Sequence, residues 1–164
     1  MINSTDIRNN LTRLEALYSG TTDVQLMQFY SKLAMIEFCG WIEDTIDDIL
    51  EDYLNNHIVE TPFRDKIDKI IRSNYGFGYE KNLFKIFCTV VGSNNWENIM
   101  DSLPIVESQN FETITNNYSP LRNNVAHTHT SGTTPTYRAP SVILGDFRNL
   151  LTAMQSIESR IQAL

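Results

Sequence analysis

Apolar residues recur along most of this chain at the three-to-four spacing of an α-helix, and no stretch alternates convincingly with period two. Ile7, Leu11, Leu14 and Leu17/Tyr18 predict an amphipathic helix over residues 4–18, with Ser4 or Thr5 as its cap and Gly20 as its stop. Thr21-Thr22-Asp23 opens the longest helix, running to about Asn55. Leu26, Phe29/Tyr30, Leu33, Ile36 and Cys39 give it one stripe, and Ala34, Phe38, Trp41 and Ile42 widen that stripe. A helix apolar nearly all round is expected at the centre of a fold, covered on several sides.

Thr61-Pro62 starts a third helix, with Phe63, Ile67, Ile70 and Ile71 inward. Asn74-Tyr75-Gly76-Phe77-Gly78 is a turn, and residues 79–91 are helical until Gly92-Ser93 breaks them. A short helix follows from Asn94 to Leu103, closed by Pro104. Residues 107–118 are helical with Phe111, Ile114 and Tyr118 apolar. Ser119 as N-cap and Pro120 at the first helical position then predict a separate short helix. Thr128–Pro140 is a Thr-rich loop of about 12 residues, long enough to suggest function or mobility. Pro140-Ser141 begins the last helix, striped by Ile143/Leu144, Phe147, Leu150/Leu151, Met154, Ile157, Ile161 and Leu164. The fold class expected is all-α: a single domain over 1–164, a helical bundle of four to five main helices plus short extra helices.

Composition changes this picture little. The 41% hydrophobic and 20% charged residues are ordinary for a soluble domain, and 164 residues suffice for a hydrophobic core. No apolar run approaches the ~18 residues of a membrane span, and Met1–Asp6 lacks the features of a signal peptide. A cytoplasmic protein without membrane contact is the expectation. Cys39 and Cys88 lie in apolar stretches and read as buried free thiols.

Charge matters more. The net charge of −7 argues against a broad basic face that coats nucleic acid. Yet residues 1–118 carry a net −9 and residues 119–164 a net +2, so the positive balance lies in the last third. The acidic run Glu43, Asp44, Asp47, Asp48, Glu51 and Asp52 reads as a solvated face, with no histidine or glycine loop to make it a metal site. Gly76 and Gly78 are spaced as in a phosphate loop, but neither the preceding strand nor the Gly-Lys-Ser/Thr ending is present.

Candidate chemistry gathers in Ser119–His129, where Arg122, Asn123, Asn124, His127 and His129 fall within eight residues. Arginine offers a rigid donor fork for a phosphate, and histidine moves protons near neutral pH. Together they suit metal-free phosphodiester cleavage. The same residues could equally cap the last carbonyls of a helix. Five helical residues are about 500°, so Arg122 and His127 differ in direction by about 140°, whereas Asn123 and His127 are i, i+4 neighbours.

Arg122-Asn123-Asn124-Val125-Ala126-His127 resembles the R-x4-6-H signature of HEPN domains (higher eukaryotes and prokaryotes nucleotide-binding). The polar residue after the arginine and Ala126 before the histidine are part of the resemblance, which extends over residues ~22–164. Phe38-Cys39-Gly40-Trp41-Ile42-Glu43-Asp44 looks like the family's second helix, with Glu43 as its supporting acid. The resemblance implies a metal-independent endoribonuclease without cofactor, from a prokaryotic toxin or antiviral-defence branch. It also implies a homodimer in which two motifs form one composite site, an RNA substrate, and an antitoxin or defence-system partner. Arg122 would hold the scissile phosphate, and His127 would act as general base or acid. Asn123 would orient them, with Glu43, Asn124 and His129 in support. In a toxin branch paired with nucleotidyltransferase antitoxins, a tyrosine commonly lies two residues after the motif histidine; here that position is His129. The alternative is a non-catalytic HEPN-like helical module that binds RNA, a nucleotide or a protein partner. A third reading is an oligomerisation module with no ligand.

Overall fold

The computed structural model describes residues 1–127 and 137–164, the side chain of His127 excepted. The chain is all-α, with no strand among the described residues. The long helix α2 (Val24–His57) is the axis of the fold, about 50 Å by its length. Asp23 starts it as an N-cap, its carboxylate accepting from the amides of Gln25 at 2.8 Å and Leu26 at 3.2 Å. Helix α1 (Thr5–Ser19) lies against α2 and against the last helix, α7 (Pro140–Ile161). It buries Ile7, Leu11 and Leu14. Helix α6 (Ile105–His127) packs on α2 and α7.

Aromatic rings join these layers. Phe38 of α2 meets Tyr118 of α6 edge-on, with centroids 4.9 Å apart. Trp41 of α2 meets Phe147 of α7 in the same way at 5.0 Å. Such offset and edge contacts are the favoured aromatic arrangements, and each adds to the burial of large rings. At the other end, α4 (Phe84–Phe87) sits between two π-helical turns, Tyr79–Leu83 and Cys88–Gly92, and leads into α5 (Ser93–Ser102). Phe87 stacks on Trp96 at 4.1 Å, and Phe111 of α6 closes that cluster. Gly92 makes the junction at φ +98°, a conformation that L side chains rarely adopt.

Several expectations are corrected. Ser119-Pro120 does not start a helix. Helix α6 runs unbroken from Ile105 to His127 with Pro120 in its interior. The reason lies in packing: Ile114, Tyr118 and Val125 are buried and Leu121 is packed against the core, so one apolar stripe continues straight through the proline. Only one flank of the N-terminal half of α2 is covered, because Leu26, Phe29, Leu33 and Ile36 remain 39–44% exposed. Helix α3 (Thr61–Arg72) buries Ile71 and half-buries Ile67 against the core, while Phe63 and Ile70 face solvent. Its N-cap is Glu60 rather than Thr61, with Pro62 in the first turn as expected. Cys39 is buried but Cys88 only half so. Leu164 lies beyond the last helix and is exposed. Most of the Thr-rich stretch, residues 128–136, lies outside the described residues. No helix among the described residues is long and apolar enough to cross a membrane.

Candidate functional site

Arg122 stands on the last two turns of α6, facing the middle of α2. Its Nη2 donates to Glu43 Oε2 at 3.1 Å, an ion pair between residues 79 apart in sequence. Its Nη1 donates to Asn123 Oδ1 at 3.3 Å. The arginine side chain is still 43% exposed and Glu43 27% exposed, so the pair sits at a surface opening and is not sealed in the core. Glu43 and Asn123 therefore both act on the guanidinium. Of the two groups that Asn123 is expected to orient, Arg122 is bonded to it, and the side chain of His127 lies outside what is described.

The wall facing Arg122 is the turn at residues 74–78. Arg122 and Asn123 border a cavity of about 660 Å³ that this turn and Asn82 line on the other side. A second cavity of about 280 Å³ lies on the α2 side, between Arg122, the acidic residues Glu43, Asp44 and Asp47, and Arg72. The turn is fixed by its own side chains. Asn74 Nδ2 donates to the Gly76 carbonyl and Asn82 Nδ2 to the Tyr75 carbonyl, both at 3.2 Å. Gly76 takes φ +107°, which disfavours any side chain there. Gly78 is needed for a different reason: a Cβ would meet the Ser119 hydroxyl at 3.3 Å, so its absence lets the turn close on α6. Across the same junction the Glu80 amide donates to Asn116 Oδ1 at 3.2 Å. The π-helical turn Tyr79–Leu83 follows immediately, a backbone form often found beside functional sites.

Two nearby groups have displaced acidities. Cys39, one turn before Glu43, is pushed up to about 12 by burial and then by the Glu43 charge, so it stays a thiol and offers no nucleophile. Asp47 is pushed up to about 6, first by burial and then by Glu51, Asp44, Glu43 and Asp48. The acidic run is thus not one solvated face. Asp44, Asp48 and Asp52 are exposed, whereas Glu43 pairs with Arg122 and Glu51 pairs with Arg72 at 3.2 Å.

Of the expected site residues, the fold brings Arg122, Asn123 and Glu43 together. Asn124 is exposed on the next position of α6 and has interactions of its own. The backbone of His127 ends α6, its side chain lies outside what is described, and His129 falls among residues 128–136. His57, at the end of α2, stands with its Nδ1 2.9 Å from the Tyr53 carbonyl.

The residues missed from sequence are those of the 74–82 wall. Two asparagines and an exposed tyrosine bracketing Gly76 were the available signal, but nothing local ties them to Arg122. A second missed set is Tyr118, Asp146 and Arg138. The Tyr118 hydroxyl donates to Asp146 Oδ2 at 2.7 Å, and Arg138 Nη1 donates to the same oxygen at 2.9 Å. Burial, aided by Asp146, holds the Tyr118 phenol well above its usual range. That set ties α6, α7 and the segment entering α7 together below the site.

No family model matches the chain, and no curated protein or solved structure matches it.

Proposed function

We propose that this chain is a metal-independent endoribonuclease that uses Arg122 and His127 in a site shared across a homodimer. The observation that carries this reading is the placement of Arg122. It is a half-exposed guanidinium, aimed by a carboxylate and an amide, at the mouth of a cavity lined by asparagines and glycines. A preoriented arginine fork suits a phosphate oxygen pair, and its charge would offset the negative charge that builds on phosphorus. The neighbouring 2′-OH supplies the nucleophile. His127 of one protomer takes its proton as the O2′–P bond forms. The P–O5′ bond then breaks, and the same histidine returns that proton to the leaving oxygen. The products are a 2′,3′-cyclic phosphate and a 5′-hydroxyl end.

The dimer is supported by the bare side of α2. Leu26, Phe29, Leu33 and Ile36 repeat at the three-four-three spacing of a helix-pairing seam and are exposed together. Gly40 continues the seam with nothing within 4 Å of where a Cβ would stand, and Glu43 follows three residues later. A second copy seated on that seam would draw two Glu43–Arg122 pairs toward each other. On this reading the chain acts on RNA in the cytoplasm, as a toxin or defence effector held in check by a partner protein.

A second reading, a non-catalytic helical module that binds RNA, a nucleotide or a protein partner, draws on one observation. The Glu43 carboxylate already neutralises Arg122. RNA cleavage in EDTA separates the two. Wild-type cleavage with at least a ~100-fold loss in both Arg122→Ala and His127→Ala is expected from the enzyme. Equal activity in all three proteins would sink it.

A further inference from the structure

Tyr75 is 88% exposed, an aromatic ring that contributes nothing to the core. Its backbone is nevertheless braced from both sides, since Asn82 donates to the Tyr75 carbonyl and Asn74 to the next one. A loose surface tyrosine needs no such bracing; a ring presented to a ligand does. Its position is also specific. Tyr75, Lys81 and Asn82 line the cavity that holds Arg122, and the same three residues line a further cavity of about 280 Å³ that ends at Lys85 and Thr89. The two cavities thus form one groove with Tyr75 on its wall, Arg122 at one end and Lys85 at the other. Lys81 and Lys85 are exposed and one helical turn apart, and neither forms an ion pair among the described residues.

Single-stranded nucleic acid is the ligand whose chemistry repeats in this order: phosphate, flat base, phosphate. Non-specific single-strand sites elsewhere combine cations along the backbone with rings on which bases stack. We propose that this groove is a single-stranded RNA subsite. The base adjacent to the phosphate on Arg122 stacks on Tyr75, and the following phosphate rests on Lys81 and Lys85. The inference rests on the proposed role of Arg122 in taking a phosphate, and it adds the strand's path and the requirement for an unpaired nucleotide. A duplex is excluded because its bases are already stacked, and a free mononucleotide lacks the second phosphate.

The test uses full-length His127→Ala protein and a fluorescently labelled eight-nucleotide RNA, titrated at several salt concentrations. Tyr75→Ala should weaken binding by about 5- to 100-fold, with Tyr75→Phe within about 2-fold of the parent. Because the ring is exposed, neither change should alter the helical circular dichroism. Lys81→Gln with Lys85→Gln should lower the slope of log affinity against log salt by roughly 0.7, the value for the one phosphate that the two lysines share. The same RNA as a duplex, and a nucleoside monophosphate, should each bind at least about 10-fold more weakly than the single strand. Unchanged affinity in Tyr75→Ala, or a mononucleotide that binds as well as the strand, would overturn the subsite. Tyr75-dependent binding by a wild-type chain that cleaves nothing would leave the subsite standing and remove the nuclease reading.

Discussion

Asp47 shows how one side chain is tuned by the wall of the site. It lies half-buried on α2 beside four other acids, Glu51, Asp44, Glu43 and Asp48, with Arg72 across the cavity from α3. Burial and these like charges push it up to about 6. A carboxyl whose acidity is weakened by folding stabilises the fold most fully below its unfolded value, about 3.9. That contribution is lost as the pH rises through about 6. At pH 7.5 the ionised side chain is therefore a cost, and Asp47→Asn should remove it. The variant should gain about 1 kcal/mol at pH 7.5, since partial exposure screens much of the shift. The gain should vanish below about pH 4, where aspartate is itself protonated. Urea unfolding at both pH values measures this. A loss of stability at pH 7.5 would mean that attraction to Arg72 outweighs the burial and the neighbouring acids.

At the scale of elements, α6 separates what a local rule can read from what packing decides. Proline at a helix start sacrifices no hydrogen bond, and Ser119-Pro120 satisfies that rule. Inside α6, by contrast, Pro120 cannot donate to the Asn116 carbonyl one turn earlier, and interior proline costs about 3 kcal/mol relative to alanine. The buried stripe through Ile114, Tyr118 and Val125 holds the helix together across it. Pro120→Ala should restore the backbone bond while giving back about 0.4–1 kcal/mol of unfolded-chain entropy, a net gain of about 2 kcal/mol. For a chain of this length that is a rise in Tm of roughly 4–8 °C. No gain on thermal unfolding would mean that the helix is effectively divided at this point. The same contrast explains which parts of the fold are legible in the sequence. Helices α1, α2 and α7 are readable because periodicity and caps are local, and Asp23 caps α2 as its position implies. The Glu43–Arg122 pair is reached only through a resemblance, because no local pattern joins residues 79 apart. The 74–78 turn carries no phosphate-loop signature. Its importance comes from closing on Ser119 and from facing Arg122 across a cavity, an arrangement that only the tertiary fold creates.

For the molecule as a whole, the unbroken α6 turns a loose expectation into a constraint. Arg122 and His127 lie on one continuous helix, so their directions differ by about 140°. Arg122 is drawn toward α2 by Glu43, which commits it to one side of α6. One chain alone is then poorly placed to bring both groups to one phosphate, whereas a two-fold assembly along the α2 seam can pair the arginine of one copy with the histidine of the other. That arrangement makes a prediction stronger than simple loss of function. Arg122→Ala and His127→Ala chains, each inactive alone, should regain RNA cleavage when unfolded together and refolded, because about half of the dimers then carry one intact arginine and one intact histidine. Recovery should be a sizeable fraction of wild-type activity, and adding Leu33→Asp to both chains should abolish it. That change sets a charge in the centre of the seam without touching the core, since Leu33 is exposed on the monomer. Its direct signature is a halved mass in sedimentation with the helical spectrum unchanged. Persistent dimers in Leu33→Asp would move the interface elsewhere. Hybrid dimers that form and stay inactive would show that each chain needs its own arginine and histidine together, and the shared site would have to be abandoned.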